Sequence, residues 1–423
     1  MFERLIQIWK VKDIRNSILF ILGMLVIFRL AAHIPIPGIN VENLKQFFST
    51  NQILGLLNLF SGGSMTNFSI VMLGVAPYIT SSIIFQLLGM IIPKLEEMMK
   101  EESGRKKVNA WTRWMTVPLA FLQAYSMIIL LRRSPQPIVE DLNPFNLFMM
   151  IVTITAGTIF LMWIGELISE RKMGNGISLI IFAGIISGIP KAIQQTLVNF
   201  SKDQIMTFVA FAVLAIVTVV GVVIISEAQR NIPVSYAKRV RGNRMYGGTN
   251  THLPVRINQA GVIPIIFAIS IILFPSMIAQ FMVRAKTEFV VTMGHWILNV
   301  FQNNLVYGIL YFLMVFGFTY FYTAVIFHPT QIADNLQKSG AFIPGIRPGE
   351  HTSQYLQNTI SRITLTGALF LAIIAVLPLL VQHGLGMQSM VVGGTSILIV
   401  VSVVIETVKQ IDSQLSMRDY EGA

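Results

Sequence analysis

The stretch Ile53–Gly89, ILGLLNLFSGGSMTNFSIVMLGVAPYITSSIIFQLLG, contains two apolar segments of unequal length separated by the turn sequence SGGS. The first, Ile53–Phe60, is much shorter than the ~20 residues that a helix needs to cross a bilayer, whereas Ser69–Leu88 is long enough. Gly74 and Pro77 are expected to interrupt the longer helix. A short segment that enters the membrane without crossing it, beside an interrupted helix, predicts a gated pathway.

The composition is that of an integral membrane protein. The chain has 423 residues, of which 54% are hydrophobic and 12% charged, which is too apolar for an ordinary soluble protein. It contains no cysteine, which excludes disulfides, thiol catalysis and thiolate metal sites. The histidines show no metal-ligand spacing, and the sequence has no phosphate-binding loop and no catalytic signature. We therefore expect neither an enzyme nor a cofactor.

Ten apolar runs are long enough to cross a membrane as helices. They occupy residues 14–34, 69–91, 114–131, 146–168, 177–193, 205–225, 257–282, 305–327, 360–381 and 389–405. The segment before the first run is amphipathic and has no small-residue cleavage site, so we expect the first span to be retained. Lysine and arginine concentrate before the first run and after the second and sixth runs. The positive-inside rule therefore predicts that both termini are cytoplasmic.

A six-residue motif occurs twice, as GVAPYI at Gly74–Ile79 in the second span and as GVIPII at Gly261–Ile266 in the seventh. Each copy lies in the second span of a five-span half. Because five is odd, a duplicated half inserts upside down, which is the inverted-repeat architecture. We expect the two halves at residues 1–200 and 201–423.

Charged residues within the spans lie near the span ends, where a long side chain reaches the membrane surface. They are Arg29, Glu166, Glu227 and Glu406. Because the span centres carry no acidic residue, the spans lack the carboxylates that a proton or sodium relay needs. Uncharged polar residues also occur in the spans, among them Thr80, Gln86, Gln123 and Asn258. They are either hydrogen-bonding contacts between helices or functional groups, and the sequence leaves both interpretations open.

Branched aliphatic residues at membrane depth are ordinarily packed in the core or exposed to lipid. Five of them allow a second interpretation, a ring that closes a pore by excluding water and presents no fixed charge to ions. They are Val75, Ile79, Ile181, Ile266 and Ile399. In the fifth span, the pair Gly184 and Gly188 predicts close helix packing.

Two cytoplasmic loops, at about 226–256 and 328–359, are too long for simple connectors and are expected to project toward a partner. Their basic residues suit either anionic lipid or an RNA-rich or acidic partner, because arginine pairs with phosphate and stacks on bases. The candidate contact residues are Lys238, Arg239, Arg241, Arg244, Lys338 and Arg347.

Seven motifs, in order along nearly the whole chain, resemble the SecY family, the channel-forming subunits of bacterial Sec protein translocons. They are FRLAAHIPIPGI at 28–39, LFSGG at 59–63, LGVAPYITSSIIFQLL at 73–88, MWIGELISERKMGNGISLIIFAGI at 162–185, THLPVRINQAGVIPIIFA at 251–268, ADNLQKSGAFIPGIRPGE at 333–350 and GGTSILIVV at 393–401. Seven motifs with ten spans between and around them make a specific match.

The resemblance implies an all-α polytopic membrane protein of ten transmembrane helices, arranged as two inverted five-helix halves around a central pore. It implies a short re-entrant plug helix at about 53–66, whose candidate residues are Leu56, Leu57, Asn58, Leu59, Phe60, Ser61, Gly62, Gly63 and Ser64. The five aliphatic residues above become the pore ring. Spans two and three against seven and eight become a lateral gate, with Thr80, Gln86, Gln123 and Asn258 as its polar residues.

The resemblance also implies a function and a set of partners. The expected function is a passive protein-conducting channel in the bacterial cytoplasmic membrane, which moves secretory polypeptides across and releases membrane proteins sideways. The implied partners are the small subunits SecE and SecG, the motor ATPase SecA, the ribosome and its RNA, signal sequences with their nascent polypeptides, and anionic lipid. The alternative is a secondary transporter for a small solute, which predicts a polar midplane site and short loops instead of an aliphatic midplane and long basic loops.

Overall fold

The computed structural model describes residues 9–40, 42–44, 61–132, 138, 143–198, 205–236, 239–241, 244–246, 250–283, 285–385 and 394–421. The helices of the amino-terminal half are α1 Lys12–Ala31, α2 Ala76–Ile91, α3 Pro93–Lys100, α4 Glu102–Arg132, α5 Pro144–Glu170 and α6 Gly176–Val198. Those of the carboxyl-terminal half are α7 Ile205–Glu227, α8 Ile263–Met282, α9 Glu288–Gln302, α10 Asn304–Ile326, α11 Pro329–Lys338, α12 Glu350–Leu385 and α13 Gly394–Glu421. The strands are β1 Gln229–Tyr236, β2 Arg239–Arg241, β3 Arg244–Tyr246, β4 Asn250–Arg256 and β5 Ala341–Phe342.

A helix lies at each of the ten predicted spans, and α3, α9 and α11 lie between spans. Within the described residues, five helical segments are long and apolar enough to cross a membrane, and the pair α2 and α3, bent by 109°, raises that number to six. Shorter apolar helices lie within α6, α7 and α8. The chain is therefore a polytopic helical membrane protein, as predicted.

The helices of the second and seventh spans begin later than their apolar runs, because a glycine turn precedes each of them. Gly74 has φ of 59° and Gly261 has φ of 62°, a left-handed conformation that glycine adopts at little cost. Each helix begins two residues after its glycine. The expectation that Pro77 interrupts the second helix is wrong, because Pro77 lies in the first turn of α2, where its missing N–H needs no partner.

Two acidic residues at span ends form ion pairs. Glu166 of α5 accepts from Arg113 of α4 at 3.1 Å, and Glu227 at the end of α7 lies 2.8 Å from Lys409 of α13. Both glutamates therefore lie in ion pairs and do not simply extend toward the membrane surface, as their positions near span ends had suggested. Because the side chains are partly exposed, each pair stabilises the fold by about 1 kcal/mol or less. The pairs therefore contribute little to the free energy of folding.

The two long loops fold together into a small sheet with its own core. The strand order is β4, β1, β5, and β1 is antiparallel to both neighbours. β5 comes from the second loop, so the two loops share one sheet. The buried residues of this core are Ile232, Val234, Val255, Ala341, Ile343, Leu356 and Ile360, the last two from α12. The two long loops thus form a folded unit attached to the ends of α7, α8 and α12.

Candidate functional site

The five predicted ring residues are all buried in one hydrophobic cluster. Their exposed fractions are 2% for Val75, 8% for Ile79, 0% for Ile181, 7% for Ile266 and 1% for Ile399. They come from both halves of the chain, from the start of α2 and from α6, α8 and α13. This cluster is the main hydrophobic core of the described residues, and its members carry no charge, which is the character that a barrier to small ions requires.

The two copies of the repeated motif have the same local geometry. In the first, the amide of Ile79 donates to the carbonyl of Val75 at 3.1 Å, and in the second the amide of Ile266 donates to that of Val262 at 3.3 Å. Val262 is 2% exposed and belongs to the same cluster as Val75. Val262 is therefore the structural counterpart of Val75, a residue that the sequence-based prediction of the ring missed although aligning the two motifs reveals it.

The predicted plug residues Leu56, Leu57, Asn58, Leu59 and Phe60 lie outside the described residues. The structure describes the following turn, Ser61–Ser64, which we call the closing turn. The hydroxyl of Ser64 donates to the carbonyl of Ser61 at 2.6 Å and lies 3.1 Å from the carbonyl of Val71. The closing turn is thereby joined to the backbone that leads into α2.

Arg29 of α1 holds the closing turn from the other side. Its Nη1 donates to the carbonyl of Gly62 at 2.6 Å. Gly62 also lies against α6, because a Cβ built on it would be 2.7 Å from the Cα of Gly184 and 3.1 Å from the ring of Phe28. Arg29 therefore does more than reach toward the membrane surface. Hydropathy could not reveal this role, because the partner is a backbone carbonyl 33 residues away.

Gly184 and Gly188 have different surroundings in the structure. Gly184 is close to the closing turn, but a Cβ built on Gly188 has no atom within 4 Å. The small residue at 184 thus makes room for the closing turn, and the prediction of close helix packing is wrong at Gly188.

The two helices on each side of the predicted gate contact each other. The hydroxyl of Ser81 in α2 donates to the carbonyl of Thr112 in α4 at 2.8 Å. On the other side, the ring of Phe267 in α8 makes edge contacts with Phe318 and Tyr322 of α10, at centroid distances of 6.1 and 5.8 Å. α2 packs directly against α8. The seam between the two sides therefore runs between α2 and α8.

Three of the four predicted polar residues of the gate form hydrogen bonds within their own segments. Thr80 donates to the carbonyl of Ala76 at 3.0 Å, Gln86 to the hydroxyl of Ser82 at 3.0 Å, and Asn258 to the carbonyl of Gly261 at 3.3 Å. Gln123 is 9% exposed. As the structure describes them, none of the four bonds to another of the four. The Oε1 of Gln86 and the Oδ1 of Asn258 are buried acceptors without a partner.

The structure shows the side-chain exposure of some basic loop residues and only the strand position of others. Lys338 and Arg347 are exposed, and the carbonyl of Arg347 accepts from the hydroxyl of Thr352 at 3.0 Å. Arg239, Arg241 and Arg244 lie in the hairpin of β2 and β3, and Lys238 lies outside the described residues.

The short helix α3 directly follows α2 at one end of the predicted seam. A hydrogen bond from Lys100 lowers the pKa of the exposed Glu96 carboxyl, and His328 lowers it further by charge. His328 immediately precedes α11 in the other half. Glu96 of α3 is therefore within electrostatic reach of His328, at the start of the second long loop.

Comparisons with known proteins agree on one family. The family model described as SecY matches residues 69–408. A protein translocase subunit SecY from Mycobacterium bovis is 43% identical over 443 residues, covering 100% of this chain and 99% of that protein. A solved SecY, whose plug domain is described as stabilising the closed state of the translocation channel, aligns with a TM-score of 0.62 and 18% identity, over 93% of this chain and 90% of that one. Sec61 in a canine ribosome–channel complex aligns with a TM-score of 0.60 and 17% identity, over the same shares.

Proposed function

The chain belongs to the SecY family of protein translocase subunits, and from this premise we propose how its own residues form and close a protein-conducting channel. The observation that carries the proposal is the burial of five aliphatic side chains from both halves in one cluster. A flexible aliphatic ring can close around many kinds of side chain while it excludes water and ions. A small-solute transporter would instead need convergent polar groups at this depth.

In the idle state, the ring and the plug together seal the pore. Val75, Ile79, Ile181, Ile266 and Ile399 form the ring, and the structural repeat supports Val262 as an additional member. The anchoring of the closing turn by Arg29 and Ser64 supports a plug that is fixed at its carboxyl end. Any displacement of the plug then takes place before Ser61, while the closing turn stays with the amino-terminal half.

The lateral gate opens along the seam between α2 and α8. Each side is internally joined, and no hydrogen bond among the four described polar residues crosses the seam. Separating the sides therefore costs apolar packing but few polar contacts. A signal sequence is itself an apolar helix, so it replaces that packing when it enters the seam. The buried acceptors of Gln86 and Asn258 gain partners when the seam admits a polar backbone or water.

The energy for transport comes from partners, since the sequence carries no nucleotide-binding loop. The exposed Lys338 and Arg347 and the hairpin with Arg239, Arg241 and Arg244 form a basic surface suited to the ribosome or to the motor SecA. SecE and SecG are the expected membrane subunits. The charge distribution supports a location in the bacterial cytoplasmic membrane with both termini in the cytoplasm.

Crosslinking tests the channel directly. Single cysteines replace Ile79 and Ile266 in this naturally cysteine-free chain, a cysteine-bearing secretory polypeptide is stalled partway, and the sample is oxidised. We expect disulfide adducts from both positions, dependent on a functional signal sequence, because both residues belong to the ring. Phe289, which lies in α9 outside the proposed pore, is the matched control and should give none. Failure at both ring positions with a chain shown to be inserted would reject the ring.

Replacing Asn258 with leucine should stabilise the closed gate. The asparagine has a buried oxygen without a partner, and leucine of similar size removes that group. A buried unsatisfied group costs about 1–3 kcal/mol, so the variant should require a more hydrophobic signal sequence for the same transport rate. The measurement is transport of a series of graded signal sequences. Asn146→Leu, the same change at an exposed residue in the first turn of α5, which is not one of the gate helices, is the control. Unchanged signal requirements for Asn258→Leu would contradict the gate assignment.

A further inference from the structure

Helix α9 has three distinct faces, of which only one packs against the protein. Gly294 is buried on the inner face. A Cβ built there would be 2.8 Å from the amide nitrogen of Val283 and 3.0 Å from the carbonyl oxygen of Ala279, so this face lies directly on the end of α8. Phe301, on the same face, packs against the main hydrophobic cluster. α9 therefore packs against the body of the protein through this inner face.

The second face of α9 is apolar and exposed. Phe289 is 74% exposed, Met293 46% and Trp296 65%. Their spacing of four and three residues places them along one line of the helix. The third face is polar and exposed, and consists of Glu288, Thr292, His295 and Asn299. The exposed surface of α9 is thus divided lengthwise into an apolar strip and a polar strip.

The membrane-spanning helix that follows α9 also exposes an apolar line. α10 begins two residues after α9 ends, and Asn303 between them caps α10 by accepting from the amides of Leu305 and Val306 at 3.0 and 3.4 Å. The exposed residues of α10 recur every four positions, with Leu305 at 68%, Ile309 at 55% and Leu313 at 58%. An exposed apolar line on a spanning helix faces lipid.

We propose that α9 is an interfacial anchor, which lies in the membrane surface opposite the basic loops with its apolar strip in the lipid and its polar strip in water. A helix of this kind buries its apolar face about 5–10 Å below the headgroups. Tryptophan is favoured at that depth, because its ring is apolar and its N–H is polar. The occupant of the strip is lipid and not a partner protein, since α10, which begins two residues after α9, exposes an apolar line of its own, and a polar strip borders the apolar strip of α9.

The anchor fixes the depth of two spanning helices. α9 is joined to the end of α8 and to the start of α10, and these two helices are paired through Phe267. Moving them vertically, or tilting them, requires α9 to change its depth in the lipid. The proposed contact between α9 and lipid does not depend on the assignment of the gate, so it can be tested by a separate measurement.

Nitroxide accessibility in proteoliposomes tests the anchor. Single cysteines are placed in the full chain at Met293 and Trp296 on the apolar strip and at Thr292 and Asn299 on the polar strip, labelled, and reconstituted in phosphatidylethanolamine with phosphatidylglycerol. We expect labels at 293 and 296 to collide several-fold more often with oxygen, which dissolves in lipid, than with a water-soluble nickel chelate. Labels at 292 and 299 should show the reverse preference.

Two outcomes would overturn the anchor. If labels at 293 and 296 meet the nickel chelate as freely as those at 292 and 299, the apolar strip is in water. If they become shielded from both reagents when the partner subunits are added, a protein and not lipid covers the strip. Met293→Cys retains Trp296, so a folding defect of Trp296→Cys leaves the test intact. The readout is depth alone, and it is independent of whether the variants transport polypeptides.

Discussion

Replacing Gly62 with alanine is expected to make the idle channel leak ions, whereas the same change at the adjacent Gly63 leaves it nearly sealed. Both residues have positive φ, 70° and 77°, so both variants bear the left-handed penalty of about 1–2 kcal/mol. Only at position 62 does the new methyl group meet backbone, 2.7 Å from the Cα of Gly184. At position 63 no atom lies within 4 Å.

Both variants have the same backbone strain, so a difference in their idle ion conductance reports the close contact at position 62 alone. Overpacking of a tight contact costs about 1–3 kcal/mol, and each 1.4 kcal/mol taken from the closed state raises the open fraction about tenfold. The Gly62 variant should also weaken the bond from Arg29, because its carbonyl must move. Idle ion conductance of proteoliposomes, measured without a translocating chain, gives the comparison. Equal conductance for both variants would show that the closing turn does not contribute to the seal.

The second large effect is expected on stability, at Gly157 in the middle of α5. A Cβ built there collides with the carbonyl of Ile70 and lies 2.7 Å from its carbon atom. That backbone cannot yield easily, because the amide of Ile70 donates to the carbonyl of Ile34 at 3.0 Å. Gly157→Ala should therefore lower the melting temperature, with a loss of about 1–3 kcal/mol from overpacking.

Gly317 in α10 is the matched control, since a Cβ built there has no atom within 4 Å. In a helix with open space, glycine to alanine is neutral or stabilising by up to about 1 kcal/mol. Thermal unfolding of both purified variants in the same detergent measures the difference. An unchanged melting temperature for Gly157→Ala would mean that the segment before α2 does not depend on contact with α5.

Hydropathy and the repeated motif predicted the features that depend on composition along the chain. The positions of the spans follow from apolar runs, but these runs placed the starts of the second and seventh helices too early, because a turn at Gly74 or Gly261 precedes each helix. The burial of the five proposed ring residues was also predictable, because branched aliphatic residues at membrane depth are ordinarily packed in the core or exposed to lipid.

Features that depend on distant partners were not predictable in this way. The bond from Arg29 to Gly62 depends on how α1 packs beside the closing turn, and a backbone carbonyl leaves no trace in the sequence. The ion pairs of Glu166 and Glu227 similarly require a neighbour from another helix. The joint sheet of the two loops depends on β5 meeting β1 across about a hundred residues of intervening chain, which no local pattern encodes.

The lengths of α4, α12 and α13 exceed their apolar runs for a related reason. α12, for example, has 36 residues and begins at Glu350, ten residues before the predicted span. Its first turns carry Leu356 and Ile360, which pack into the core of the small sheet. A helix continues beyond the membrane where a folded unit outside the membrane gives it something to pack against, and hydropathy detects only the part inside.

The hairpin of β1 and β4 has a mechanical consequence. At its base, the amide of Ile257 donates to the carbonyl of Ala228 at 2.9 Å, and the carbonyl of Ile257 also lies against α12 at Gly367. Ile257 is followed directly by Asn258 and, four residues later, by the turn at Gly261 that begins α8. The base of the hairpin is thus joined by a hydrogen bond to the segment that leads into α8. We therefore expect a partner that displaces the base of the hairpin to displace the first turn of α8 as well.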